Sequence, residues 1–268
     1  MLVAFTSLKA SPGVTTAVLA LAAAVRRRAG VLVADCDPAG GDVALRLDLP
    51  VEPGVITLAA ASRDGHVDAL AVNQHVQPLP SGVQVMPGPP GMGQAAVALA
   101  TLTPIEPHPL VAAARQHGRL VLADVGRLTT GTPARPLIRA ADEAVLVLRP
   151  RWEEVTHAAA RMPEIMDQAR RWSLLLIGRG RYQAEEVASS LALPLAGVLP
   201  ADRTGAAVVG QAVTGQWVAV RARLIREAQR VVVNLDVPVP ADDVAPVRTR
   251  RQRRRRMRAL ADEHGMRP

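Results

Sequence analysis

The sequence predicts an α/β fold, a mainly parallel sheet with helices packed on both faces in three layers. Three observations carry this. Short apolar runs recur along the first 200 residues, most of them solid rather than alternating, as strands covered on both faces require. Longer stretches with helical periodicity separate them, so strand and helix alternate and the crossovers are expected to be right-handed. The chain is also large enough for a full core, with 268 residues of which 49% are hydrophobic.

The strands are expected at 2–6, 31–35, 83–86, 120–124, 144–148, 174–177 and 195–198. Helices are expected near 14–29, 93–102, 109–117, 133–141, 152–171, 184–192, 204–212 and 215–233. Ligands on such sheets bind at the carboxyl ends of the strands. The Pro-rich, acidic stretch VPVPADDVAP at 237–246 reads as a linker, which divides the chain into a domain at 1–235 and a tail at 236–268.

Charge supports that division. The net charge is +8, and residues 237–268 carry nine Arg against Asp242, Asp243, Asp262 and Glu263, or +5. The other residues hold 23 basic and 20 acidic groups, or +3. Of 32 cationic side chains 31 are arginine, a bias that makes arginine count weak evidence for nucleic-acid binding. The same bias makes Lys9, the only lysine, informative. Cys36 is the only cysteine, which excludes an intramolecular disulfide and a cysteine zinc site. The longest uncharged apolar run, 17–25, is too short to span a bilayer, and no signal peptide is evident, so a cytoplasmic location is expected. The six histidines lack metal-ligand spacing such as HExxH.

Between the first strand and first helix lies Leu8-Lys9-Ala10-Ser11-Pro12-Gly13-Val14-Thr15-Thr16. A strand, a tight loop of small residues and a helix opening on Thr-Thr is the layout of a phosphate-binding loop, whose backbone N–H groups face an anion. An ordinary strand-to-helix turn with threonine caps would read the same way. The second strand ends in Asp35-Cys36-Asp37-Pro38, and the strand at 120–124 ends in Asp124-Val125-Gly126. Carboxylates at these strand ends stand where a nucleotide's Mg²⁺ and attacking water would sit. Each alone could merely cap the following turn.

Together these segments resemble the MinD/ParA group of P-loop ATPases, whose deviant Walker A loop reads KGGxGK[ST]T. On that pattern Lys9 matches the signature lysine, Ala10 and Ser11 stand at the two glycines, Pro12 at the variable position and Gly13 at the last glycine. Thr15 and Thr16 match the Mg²⁺-ligating and following threonines. DCDP at 35–38 resembles the family's DxDP segment, in which Asp37 would orient the attacking water and lie close to the metal. LVLADVG at 120–126 resembles the Walker B strand, with Asp124 near Mg²⁺. The stretch at 195–213, with Pro200 in its loop, is similar to the segment flanking adenine. The resemblance covers about residues 1–235. It implies ATP and Mg²⁺ as cofactors, a nucleotide-dependent homodimer, and a positioning or partitioning role in DNA segregation or in placing a pilus, secretion or division machine.

The pattern breaks at Val14, which replaces the Walker lysine. That lysine offsets phosphate charge through hydrolysis, and losing such a contact costs on the order of several kcal/mol of transition-state stabilisation. The implied enzyme is at most a weak ATPase, with Lys9 available in trans as a substitute. The alternatives are a non-enzymatic scaffold of the same fold, or a basic nucleic-acid-binding protein acting through its tail. That tail holds Arg248, Arg250, Arg251, Arg253, Arg254, Arg255, Arg256 and Arg258, eight arginines in eleven residues. Such a run neutralises phosphates without reading sequence. Plain solvation is the simplest alternative, with an acidic protein partner or weak attraction to anionic lipid behind it.

Overall fold

The computed structural model describes residues 1–9, 11–25, 30–63, 70–116, 118–215 and 223–237. Ala10, the end of the helix expected at 14–29, and the whole arginine run fall outside the described residues.

Eight strands form one sheet. They are β1 (Leu2–Ser7), β2 (Val31–Asp35), β3 (Gln77–Pro78), β4 (Gln84–Met86), β5 (Leu120–Arg127), β6 (Glu143–Leu148), β7 (Trp172–Ile177) and β8 (Leu195–Leu199). Their order across the sheet is β3-β4-β2-β5-β1-β6-β7-β8. Every neighbouring pair is parallel except β3 with β4. β1, β2 and β6 are buried along their whole length, which is why they read as unbroken apolar runs.

Among the described residues ten helices cover the sheet: α1 (Val14–Ala24), α2 (Val43–Leu47), α3 (Val55–Ala61), α4 (Met92–Leu102), α5 (Pro109–Ala114), α6 (Arg135–Ala140), α7 (Trp152–Ile165), α8 (Ala184–Leu191), α9 (Arg203–Thr214) and α10 (Arg223–Asn234). Nine of the eleven residues of α1 are buried, because it lies against the sheet and is covered by α9 and α10. A helix apolar on every side belongs in such a place. α10 is the opposite case. It buries Leu224, Ile225, Ala228, Val231 and Val232, one stripe at helical spacing. Gly197 lets it approach β8, since a Cβ there would lie 2.8 Å from the Val231 Cγ2.

The expected strands are all present. The sheet adds the short edge strand β3, and two helices, α2 and α3, stand where no element was expected. The helix expected over 152–171 ends at Ile165, two residues after Pro163, and a 3₁₀ turn, Met166–Gln168, follows. A mid-helix proline removes a hydrogen bond and weakens the continuation. The helix expected at 215–233 is seen from Arg223 to Asn234, with 216–222 outside the described residues.

The topology fixes where a ligand can sit. The chain leaves β1 for β2 on one side, and later leaves β5 for β6 across β1 to the other. The connections diverge there, and the carboxyl ends of β1, β2 and β5 open onto one crevice.

Candidate functional site

The first loop is built around Gly13. Its φ of +112° lies in the left-handed region, which a residue without Cβ enters at no cost. This turns the chain from β1 into α1, whose first bond runs from the Ala17 N–H to the Gly13 carbonyl at 2.9 Å. Ahead of it Pro12 is buried and Ser11 exposed. The loop leans on the far side of the crevice. Arg149 Nη2 donates to the Ser11 carbonyl at 3.3 Å, and Arg161 Nη1 to the Leu8 carbonyl at 3.5 Å.

Two strand ends deliver the acidic groups. Asp35 and Asp124 are register partners on β2 and β5. Asp35 is 2% exposed. Its Oδ2 accepts from the Val43 N–H at 2.9 Å, while its buried Oδ1 has no hydrogen-bond partner among the described residues. Burial first, and then the Asp124 charge, push the Asp35 carboxyl up to about 7. Asp124 is 1% exposed and is pushed up to about 6, chiefly by burial. The Gly126 N–H, which donates to its Oδ1 at 3.0 Å, and the nearby Thr15 hydroxyl favour its charged form. Thr15 on α1 and Asp124 on β5 line the same cavity.

Asp37 lies half-buried after β2 with its Oδ1 accepting from the Ala39 N–H at 2.8 Å. Burial raises its pKa as well. Its carboxylate rests on Gly126, where an added Cβ would meet all three carboxyl atoms within 2.1–2.3 Å. Gly126 also has a φ of +61°. Only glycine allows Asp37 to lie so near the Asp124 strand end.

Asp37 and Asp124, with Asp35 buried behind them, lie on a cavity of about 620 Å³. Ser11, Gly13, Val14 and Thr15 line it from the first loop, Asp37, Asp42 and Arg46 from the segment after β2, and Asp124, Gly126 and Arg127 from β5. Of the residues singled out in the sequence, Thr16 is off its wall but tied to it, its hydroxyl accepting from the lining Arg46 Nη1 at 2.9 Å. Lys9 is not on the cavity wall. It is exposed, and its ammonium meets His157 Nε2 on α7. Pro200 is half-buried after β8 and also lies off this wall, with its carbonyl accepting from the Asp202 N–H at 2.8 Å. Cys36 is buried among the three aspartates, and burial together with their charge pushes its thiol up.

Sequence reasoning did not single out Arg46, Arg127, Asp42 or Gly126. The glycine had a usable signal, a Gly two residues after a strand-end Asp. The arginines had none, being two among 31.

The donor set fits Mg²⁺. It consists of carboxylate and hydroxyl oxygens, with a buried carboxylate oxygen left unpartnered beside it. Among the described residues no group of three or more acidic, histidine or cysteine side chains converges closely enough to hold a metal alone. Mg²⁺ in phosphate sites takes one or two protein oxygens and completes its shell with phosphate and water.

Comparison with solved structures gives the same frame. The cell-division ATPase MinD of Pyrococcus furiosus superposes with a TM-score of 0.69 at 16% identity, over 88% of this chain and 98% of that one. The septum site-determining MinD of Pyrococcus horikoshii, solved with Mg-ADP, gives 0.69 at 17%, over 91% and 99%. A ParA-family ATPase of Chlorobium tepidum gives 0.67 at 17%, over 87% and 97%. The chain has the MinD/ParA fold. No protein-family model and no curated protein matches the sequence itself. Within the MinD/ParA fold the cavity lies at the carboxyl ends of β1, β2 and β5, and no helix among the described residues is long and apolar enough to cross a membrane.

Proposed function

We propose that this chain is a nucleotide-dependent positioning protein of the MinD/ParA type, which binds Mg²⁺ and ATP in the cavity and hydrolyses ATP weakly. The observation that carries the reading is the meeting of Thr15, Asp37 and Asp124 on the wall of one cavity, with Asp37 braced on Gly126. It joins the first loop to two strand ends at one point, which an ordinary strand-to-helix turn has no reason to do.

Bound Mg²⁺ would neutralise phosphate charge. The protein's own parts then divide the work. Thr15 and Asp124 offer oxygens to the metal side. Gly13 bends the loop so that the N–H groups at the start of α1 face the phosphates, and Thr16 offers its hydroxyl. Asp37 accepts a hydrogen bond from the attacking water and orients it, held in place by the Ala39 N–H. Val14 contributes neither charge nor donor, so turnover is slow while binding persists. Lys9 belongs to contacts outside this cavity, including a partner subunit in a nucleotide-dependent homodimer. The cellular role is placement of a large cargo, a DNA segment or a pilus, secretion or division machine, and the location is cytoplasmic.

The test is a titration of the full chain with a fluorescent ATP analogue, with Mg²⁺ and with EDTA. Saturable, Mg²⁺-dependent binding that Asp124→Ala weakens supports the reading. Absence of binding at millimolar ATP rejects it in favour of a scaffold without nucleotide.

A second reading rests on the arginine run at 248–258 and concerns nucleic acid or an acidic protein partner. We propose the division at 236 for the same reason, a tail that acts separately from the domain. Deleting 247–268 and measuring DNA retention at two salt concentrations tests it. Unchanged retention excludes the tail as the DNA-binding element.

A further inference from the structure

We propose that Arg46 supplies the cation that Val14 lacks, binding the phosphates of the nucleotide from α2 instead of from α1. This rests on reading the cavity as a triphosphate site. The wall carries Asp37, Asp42 and Asp124, and a nucleotide adds further negative charge, so a cation is needed on the phosphate side. Val14 is buried, 7% exposed, and offers none. Two cationic residues are among those lining the cavity, Arg46 and Arg127.

Their neighbours separate their roles. The Arg127 charge acts on Asp37, the water-side carboxylate. Arg46 points to the other end. Its Nη1 donates to the Thr16 hydroxyl at 2.9 Å, on the first turn of α1, and its charge reaches Asp124. Its Nη2 lies 3.6 Å from Asp42, within ion-pair but not hydrogen-bond reach. A guanidinium has five N–H donors in a planar fork suited to phosphate oxygens. The side chain is 38% exposed, so an incoming anion can reach it.

The mount is firm. The turn into α2 is held by the Val43 N–H on Asp35. A Cβ on Gly41 would lie 2.4 Å from the same carboxylate, and one on Gly40 2.3 Å from the Pro90 carbonyl, so that turn is clamped between two neighbours. On the far side Gly210 of α9 approaches so closely that a Cβ would lie 2.6 Å from the Arg46 carbonyl. The backbone of Arg46 is therefore fixed from both sides while its head group faces the cavity. Its place just after the Asp37 segment also means that phosphate contact and water orientation are carried by one stretch of chain.

The experiment is an ATP titration with Mg²⁺ on the full chain, wild type beside Arg46→Gln, Arg46→Lys, Arg127→Gln, and Val14→Lys with and without Arg46→Gln. Arg46→Gln should weaken ATP binding at least about tenfold, as loss of a charged hydrogen bond does. Arg46→Lys should retain most of the affinity, and Arg127→Gln should cost less than about threefold. Lysine at position 14 should cut the penalty of Arg46→Gln to about threefold or less. The melting temperature without nucleotide should move by less than about 2 °C in Arg46→Gln, which separates lost binding from lost structure. If wild type binds ATP and Arg46→Gln binds as well, or if Arg46→Lys fares no better than Arg46→Gln at unchanged melting temperature, Arg46 is not the phosphate cation although the cavity still is the site. If wild type itself binds no ATP, the cavity reading falls and this assignment with it.

Discussion

The two walls of the cavity differ in kind. On the acidic wall, the ends of β2 and β5, the groups expected for metal and water are gathered and braced: Asp124 by the Gly126 N–H, Asp37 on Gly126, and Asp35 in register with Asp124. On the loop wall, the expected cations have left. Val14 stands in the lysine position, and Lys9 is turned to His157 on α7. The parts tied to the sheet have little freedom, because β2 and β5 are paired in full register through Asp35 and Asp124. The parts carried by a loop and one long side chain can be relocated, and Arg46 on the next helix is placed to take over. Strand-end carboxylates thus identify this kind of site more securely than a loop consensus.

Variants of each wall sharpen that contrast. Asp124→Ala should have the largest effect, removing the Mg²⁺ dependence of ATP binding and weakening it by about a hundredfold, checked by titration with and without EDTA. Gly126→Ala should follow. It places a Cβ inside the Asp37 carboxylate and forces a left-handed φ on a residue with a side chain, so the chain should lose about 2 kcal/mol in a denaturant melt.

Asp35→Asn should act in the other direction. The native Asp35 carboxyl titrates near 7, above its unfolded value of 3.8, so the folded state holds more protons between those limits. Stability contributed by this group is present below about pH 4 and is lost as pH rises toward 7. Asparagine removes the charge and offers an N–H beside Asp124, so the variant should gain about 1 kcal/mol at pH 7.5 and lose that advantage by pH 4.5. Melting curves of both proteins across that range read the change in the Asp35–Asp124 pair, whose titrations are coupled, and subtraction cancels His108, whose buried ring, lowered to about 4, titrates in the same window in both. Smallest is Lys9→Ala, which should change ATP affinity of the monomer by less than about twofold.

Much of the fold was legible. The strands announced themselves because both faces are covered and periodicity is replaced by solid apolar runs. α2 and α3 were not. VALRL is too short to show a helical period, and VITLAAA reads equally as a buried strand. Their helicity comes from what they pack on, including the Val43 N–H on Asp35. In the site, Asp37, Asp124, Gly13 and Thr15 were marked by their places at strand and helix ends, which sequence spacing carries. Arg46 was hidden by an arginine-rich composition, and nothing in the spacing says that residue 46 returns to Thr16. The direction Lys9 takes was also beyond spacing, since one exposed long side chain follows whichever neighbour the fold provides.

The most direct test of the account is to locate the metal. A crystal of the full chain grown with ATP and Mn²⁺ in place of Mg²⁺ gives an anomalous signal at the ion. The account predicts a peak between the Thr15 hydroxyl and the Asp124 carboxylate, with phosphate density running from it toward Arg46. A peak elsewhere, or nucleotide bound with no metal beside Thr15 and Asp124, would contradict it.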